Sequence, residues 1–212
     1  MALKQKYNTQ TNAIVTYDYY ELGSGTGTKL FYGLGVANQA TIPVAATALA
    51  YKTILSSNAV KSEDVSTSGT TTADAQAFDI DFDLSSFNNP LAVEGTAYVT
   101  LNGSMTAADG AVDHSAVFTI KVIKYDGTTE TVLGTGYSNK LGTVTSGTNV
   151  FYGVVPITCT LGTFKVGDIL RVNIVATTVS NNPAQGGTIL FYHEPSTAGQ
   201  ELVMYIPFRL NQ

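Results

Sequence analysis

From Leu161 to Thr178 the chain reads LGTFKVGDILRVNIVATT, and its second half alternates. Leu170, Val172, Ile174 and Ala176 are apolar, while Arg171, Asn173 and Thr177 between them are polar and Val175 is the exception. A period of two puts the first set on one face of a β-strand and leaves the other face largely polar. Lys165 to Asp168, with Gly167 free to take positive φ, predicts the turn that opens the strand.

The same grammar runs through most of the chain after residue 75. Ala77 to Leu84 alternates Phe78, Ile80, Phe82 and Leu84 with three aspartates, and Asn88-Asn89-Pro90 follows as a turn. Thr96 to Ser104 points Ala97, Val99 and Leu101 inward, and Ser115 to Tyr125 does so with Ala116, Phe118, Ile120 and Val122. Asp126-Gly127 is a hairpin signal, with Thr129 to Tyr137 as the returning strand. Val150 to Leu161 places Phe151, Val155, Ile157, Cys159 and Leu161 on one face. Thr188 to Glu194 follows the Asn181-Asn182-Pro183 loop, and Glu201 to Leu210 ends the chain with Pro207 marking an edge or an exit. The pairs Phe31-Tyr32, Phe151-Tyr152 and Phe191-Tyr192 read as strand packing, one ring in and one out.

The first 75 residues are less regular. Residues 1–11 read as a polar arm, Ala13 to Tyr20 as a strand, and Gly23 to Thr28 as a flexible connection. Lys29 to Val36 is a second strand loosened by Gly33 and Gly35, and Ala45 to Leu55 fits a short helix or a strand. Ser56 to Ala75, rich in Ser and Thr, reads as a loop or linker. The expected fold is all-β: an antiparallel two-sheet, jelly-roll-like sandwich of about eight strands over 76–212. Residues 1–75 form an N-terminal arm or extension, or strands that complete the same sheets.

Composition narrows the function. Charged residues are only 13% of the chain, against roughly 25% in ordinary soluble domains; Thr, Ser, Asn and Gly supply the polarity. A net charge of −5 without any Lys/Arg cluster argues against nucleic acid as a partner. No span approaches membrane length, and the start MALKQKYNTQTNAIV lacks the apolar core of a signal peptide, so synthesis and folding in a cytoplasm are expected. The single cysteine, Cys159, rules out an internal disulfide and falls in an apolar alternation, as a buried inert thiol would.

The chemistry-bearing patterns are few. Asp79, Asp81 and Asp83 share one strand face at a spacing of roughly 7 Å, which could offer calcium its oxygen ligands. Leu84 and Pro90 stand where an EF-hand loop needs glycine and glutamate, so a solvated acidic face on an edge strand is the preferred reading. The run GSGTGTKL has Thr28 where a phosphate loop needs glycine. His114 and His193 sit at strand ends without a nucleophile elbow, as surface or loop histidines, and Asn102-Gly103-Ser104 reads as a turn. No catalytic residue, metal site or cofactor site is expected.

Two phrases carry a resemblance: FKVGDILRVNIVAT at 164–177 and LVMYIPFRL at 202–210, within a Thr/Ser/Gly-rich β body. Together they resemble virion structural proteins of tailed bacteriophages, in particular small jelly-roll capsid decoration, or cement, proteins. The resemblance implies a non-enzymatic homo-oligomer, often a trimer, made in the host cytoplasm and seated on the major capsid protein of the virion. The alternative is a carbohydrate-binding sandwich of a tail fibre or cell-surface protein, using Tyr17, Tyr19, Tyr20 or Tyr192 in place of the absent tryptophan.

Overall fold

A computed structural model of the chain describes residues 26–37, 51–60, 66–72, 74–107, 113–180 and 186–209. Twelve strands and no helix occur among them: β1 Thr26–Ala37, β2 Tyr51–Ser56, β3 Ser66–Thr72, β4 Ala75–Asp83, β5 Leu91–Ala107, β6 His114–Tyr125, β7 Glu130–Tyr137, β8 Leu141–Val144, β9 Gly147–Phe164, β10 Ile169–Ser180, β11 Gly186–Tyr192 and β12 Val203–Arg209. The expected arm at 1–11, the strand at Ala13 to Tyr20 and the loop at Asn181 to Pro183 lie outside the described residues.

The strands form one hydrogen-bonded path, β3-β11-β5-β12-β1-β2-β4-β10-β6-β7, with β8 attached to β6 and β9 to β5. Every pairing is antiparallel except β2 with β4, which meet at the single bridge Ile54↔Asp83. That junction is a corner. On one side of it β4, β10, β6, β7 and β8 make one layer; on the other, β1, β12, β5, β9, β11 and β3 make a second. Rings from strands far apart along the path meet between the layers: Phe78 of β4 stacks on Phe191 of β11 at 6.0 Å, and Phe118 of β6 lies 5.5 Å from Phe151 of β9. The fold is therefore sandwich-like, as expected, although its hydrogen bonding continues round one corner.

The core follows the alternation. Leu170, Val172, Ile174 and Ala176 are fully buried, opposite the buried Phe78, Ile80 and Phe82 of β4 and Phe118, Ile120 and Val122 of β6. Phe31, Phe151 and Phe191 point inward, and Tyr152 is 66% exposed. The expected hairpin is present: the Asp126 carboxylate accepts the N–H groups of Thr128 and Thr129, and Gly127 takes φ 94°.

Of the two readings left open for the first 75 residues, the described part follows the second and completes the same sheet: β1 lies between β12 and β2, and β3 pairs with β11. Several other expectations are corrected. The stretch Ser56 to Ala75 holds a strand rather than only a linker, its Ser and Thr residues suiting a polar edge. Leu161 is 52% exposed rather than inward. Val93 pairs with Gly162 and Gly95 with Cys159, so β9 carries one residue more than β5 in between. That bulge slips the alternation by one and turns Leu161 out. Pro207 is not at an edge, since β12 lies between β5 and β1; it sits at a register irregularity, where no ladder N–H is required. Asn102, Gly103 and Ser104 are no turn but the buried middle of β5, where the Asn102 amide donates to the Glu201 carbonyl at 2.6 Å.

Candidate functional site

The densest polar cluster lies on the outer face of the β4–β10 pair. Register puts Asp83 opposite Arg171, Asp81 opposite Asn173 and Asp79 opposite Val175. Directly opposed residues share a face, so the acidic row and the Arg171/Asn173 pair stand side by side. Arg171 donates from Nε and Nη2 to both Asp83 carboxylate oxygens, at 2.7 and 2.8 Å. Its Nη1 reaches Glu130 at 2.5 Å and Asp81 at 3.2 Å, and the guanidinium lies 4.5 Å from the Tyr125 ring centre. The Asn173 amide donates to Asp79 at 2.5 Å and to Asp81 at 2.8 Å.

The charges respond to this packing. Asp83 hydrogen bonds hold the Arg171 guanidinium even more firmly protonated than usual. Burial pushes the Asp81 carboxyl above its ordinary value, against the Asn173 amide and Arg171, which pull it down. The expected acidic face is thus real but not simply solvated, because one arginine and one amide tie its three carboxylates together. β4 comes close to the expected edge strand, paired fully with β10 and touching β2 at one bridge; the Thr53 hydroxyl also donates to the Asp81 carbonyl.

Among the described residues no three His, Cys, Asp or Glu side chains converge as a metal site requires. The oxygens of Asp79 and Asp81 that calcium would need already face the Asn173 amide. Chelation with EDTA is therefore expected to leave the melting temperature unchanged. A fall of several degrees that Asp81→Ala abolishes would restore the calcium reading.

The two histidines are core residues, not surface ones. His114 and His193 are both fully buried, His193 with its ring 5.8 Å from Phe82 and 6.2 Å from Phe191. Strand ends looked exposed in sequence, but here they lie under the opposite layer. Among the described residues neither His114 ring nitrogen has a hydrogen-bond partner. Ser115, the nearest candidate nucleophile, shares its hydroxyl hydrogen bond with Thr143 at 2.9 Å. Cys159 is buried, and burial pushes its thiol up to about 11. A cleft of about 470 Å³ opens where β2 and β4 diverge, rimmed by Ser56, Ser57, Ser85, Ser86 and Asp83, and no histidine lines it. The carboxylate on its rim, Asp83, already accepts two hydrogen bonds from Arg171.

No protein-family model matches the chain, and no curated protein matches it in sequence. Solved structures do resemble it. An α-amino acid ester hydrolase superposes with a TM-score of 0.59 at 14% identity, over 86% of this chain and 36% of the hydrolase. An aminopeptidase from a marine sediment Thaumarchaeota archaeon gives 0.57 at 10% identity, covering 88% of this chain and 37% of that one. A CocE/NonD family hydrolase from Staphylococcus aureus gives 0.52 at 12%, over 86% and 37%. What recurs is the fold. This chain spans little more than a third of the length of each, and identities this low carry no residue roles across. Tyr17, Tyr19 and Tyr20, expected as a sugar platform, lie outside the described residues; Tyr192 is half-buried.

Proposed function

We propose that the protein is a non-enzymatic structural protein of a phage particle, a decoration protein that binds the outer lattice of the major capsid protein and stabilises it. Its sandwich is read as a jelly roll. One observation carries the reading: the groups that could do chemistry are occupied in holding the fold. Arg171 and Asn173 engage the acidic row, while Cys159, His114 and His193 are sealed in the core. What the described surface offers instead is hydroxyls and exposed tyrosines on a continuous sheet. The phrases that carry the phage resemblance include most of the inner strand β10 and the whole of the inner strand β12.

Exposed Tyr98, Tyr137 and Tyr152 would also serve the carbohydrate reading, and one experiment separates the two. Undecorated capsids are mixed with the full chain and with a form lacking residues 1–12, and copies per particle are counted beside binding to a glycan array. Saturable capsid occupancy, reduced by the deletion, is the expected result. The multivalent lattice would raise occupancy above binding to isolated coat subunits. Glycan binding without capsid binding would overturn the assignment.

A further inference from the structure

The outer faces of the two layers differ in kind. That of β4, β10, β6 and β7 carries Asp79, Asp81, Asp83, Glu130, Arg171 and Lys121. On the other layer, register aligns Leu30, Tyr205, Tyr98 and Pro156 in one row across β1, β12, β5 and β9. Beside it, Thr100 bridges Val203, through hydrogen bonds of its hydroxyl, and Val154. Tyr152 and Val150 continue up β9, opposite Asn102 and Ser104. Outward positions of β9 from Val150 to Thr158 and of β5 from Thr96 to Thr100, with those paired with them, carry no charge; Glu201, whose carbonyl accepts from Asn102, bounds them at one end and the Glu94–Arg209 pair at the other. This face is open along β9 and over Tyr98 and Tyr205: Val150 is 74% exposed and Val154 50%, whereas Asn102 and Ser104 beside them are covered.

We infer that this uncharged face is where a second copy of the chain docks, face to face about a two-fold axis. Three features point to a copy. The open part, three strands at about 4.8 Å by nine residues at about 3.4 Å, gives a flat area of roughly 450 Å², the size of a weak, concentration-dependent interface rather than of the roughly 800 Å² per partner of stable ones. Tyrosine enrichment and missing charge are the marks of an interface centre. A partner with charges would lose their hydration here and meet no counter-charge. A second copy brings the same uncharged rows and leaves the acidic faces of both molecules, each of net charge −5, pointing apart. Two sheets packed this way align within about 30°. The pair deepens the structural-protein reading by naming how copies meet, in place of the trimer that the resemblance implies.

The test is sedimentation of the full chain between 1 and 100 µM, with circular dichroism confirming the fold of each variant. Wild type is expected to associate. Val154→Glu and Tyr152→Glu should each weaken association at least tenfold, and Val166→Glu, on the exposed turn before β10, should leave it unchanged. The Tyr152 side chain stands mostly in solvent, so that variant decides the matter if Val154→Glu does not fold. A wild type monomeric at 100 µM, association that survives Tyr152→Glu, or equal dissociation by Val166→Glu would overturn the pairing. If the wild type is monomeric and Tyr152→Glu instead lowers capsid occupancy, the face belongs to the coat lattice; the pairing then fails and the decoration role stands. Loss of capsid binding with pairing intact would be the reverse.

Discussion

Replacing Arg171 with methionine is expected to lower the melting temperature by about 6–12 °C at neutral pH. The arginine side chain is 15% exposed and joins Asp83, Asp81 and Glu130, with Asp79 linked through Asn173. Removing one partner of a largely buried ion pair costs on the order of 3 kcal/mol, because the remaining charges are left uncompensated. At this chain length each kcal/mol moves the midpoint by roughly 2–4 °C. Methionine retains much of the aliphatic volume, so the loss reports charge rather than packing.

The pH dependence gives the result its signature. Asp81 is held above its ordinary value, so the fold disfavours its ionised form, and acidification through that raised value relieves the cost. Without Arg171 the relief is larger, and the gap between variant and wild type should narrow as pH falls through the carboxylate range. Asp168 has the opposite sign. The Lys165 N–H, then Lys124, hold its carboxyl below the ordinary value; the stability it contributes is complete above the unfolded carboxylate's range and lost as pH falls. Both proteins should therefore lose stability in acid, the variant less steeply. Thermal melts from pH 3 to 7 measure this, and a constant gap would mean that Arg171 acts by packing alone.

Gly103→Val should be the more damaging change, leaving little folded protein. Gly103 faces inward between Phe151 of β9 and Phe191 of β11, its paired neighbours. A Cβ there would stand 2.2 Å from the Leu190 carbonyl oxygen and 2.6 Å from the Phe151 ring. One of those obstacles is backbone, which no rotamer change can clear, so the cost should reach or exceed the roughly 3 kcal/mol upper end of usual overpacking. The displaced Phe151 ring would also leave Phe118, 5.5 Å away, at the centre of the core. Gly127→Ala is the control. Its site has φ 94° and open space around it, so only backbone strain of about 1 kcal/mol is expected. Urea melts of both variants decide it: equal midpoints would mean that the β5–β11 ladder yields more readily than its geometry indicates.

Which side of each strand faces the core was legible from the sequence, because side-chain direction along a strand is a local property with a period of two. Leu170 to Ala176, Phe78 to Phe82 and Phe118 to Val122 could be assigned inward on that ground alone. So could the Asp126-Gly127 hairpin and the buried Cys159, since turn chemistry and short-range apolarity need no distant partner. What stands beside each strand was not legible. Arg171 meets Asp83 across 88 positions of chain, and nothing in either local pattern specifies that register. The same limit hid the burial of His114 and His193, the recruitment of β3 from a Ser/Thr-rich stretch, and the bulge that turns Leu161 outward. It also hid the uncharged face. Leu30, Tyr98, Pro156 and Tyr205 look like scattered outward residues until antiparallel pairing sets them in one row. Tertiary structure alone decided this, because neighbours across a sheet are chosen by the packing of the whole core rather than by any one strand.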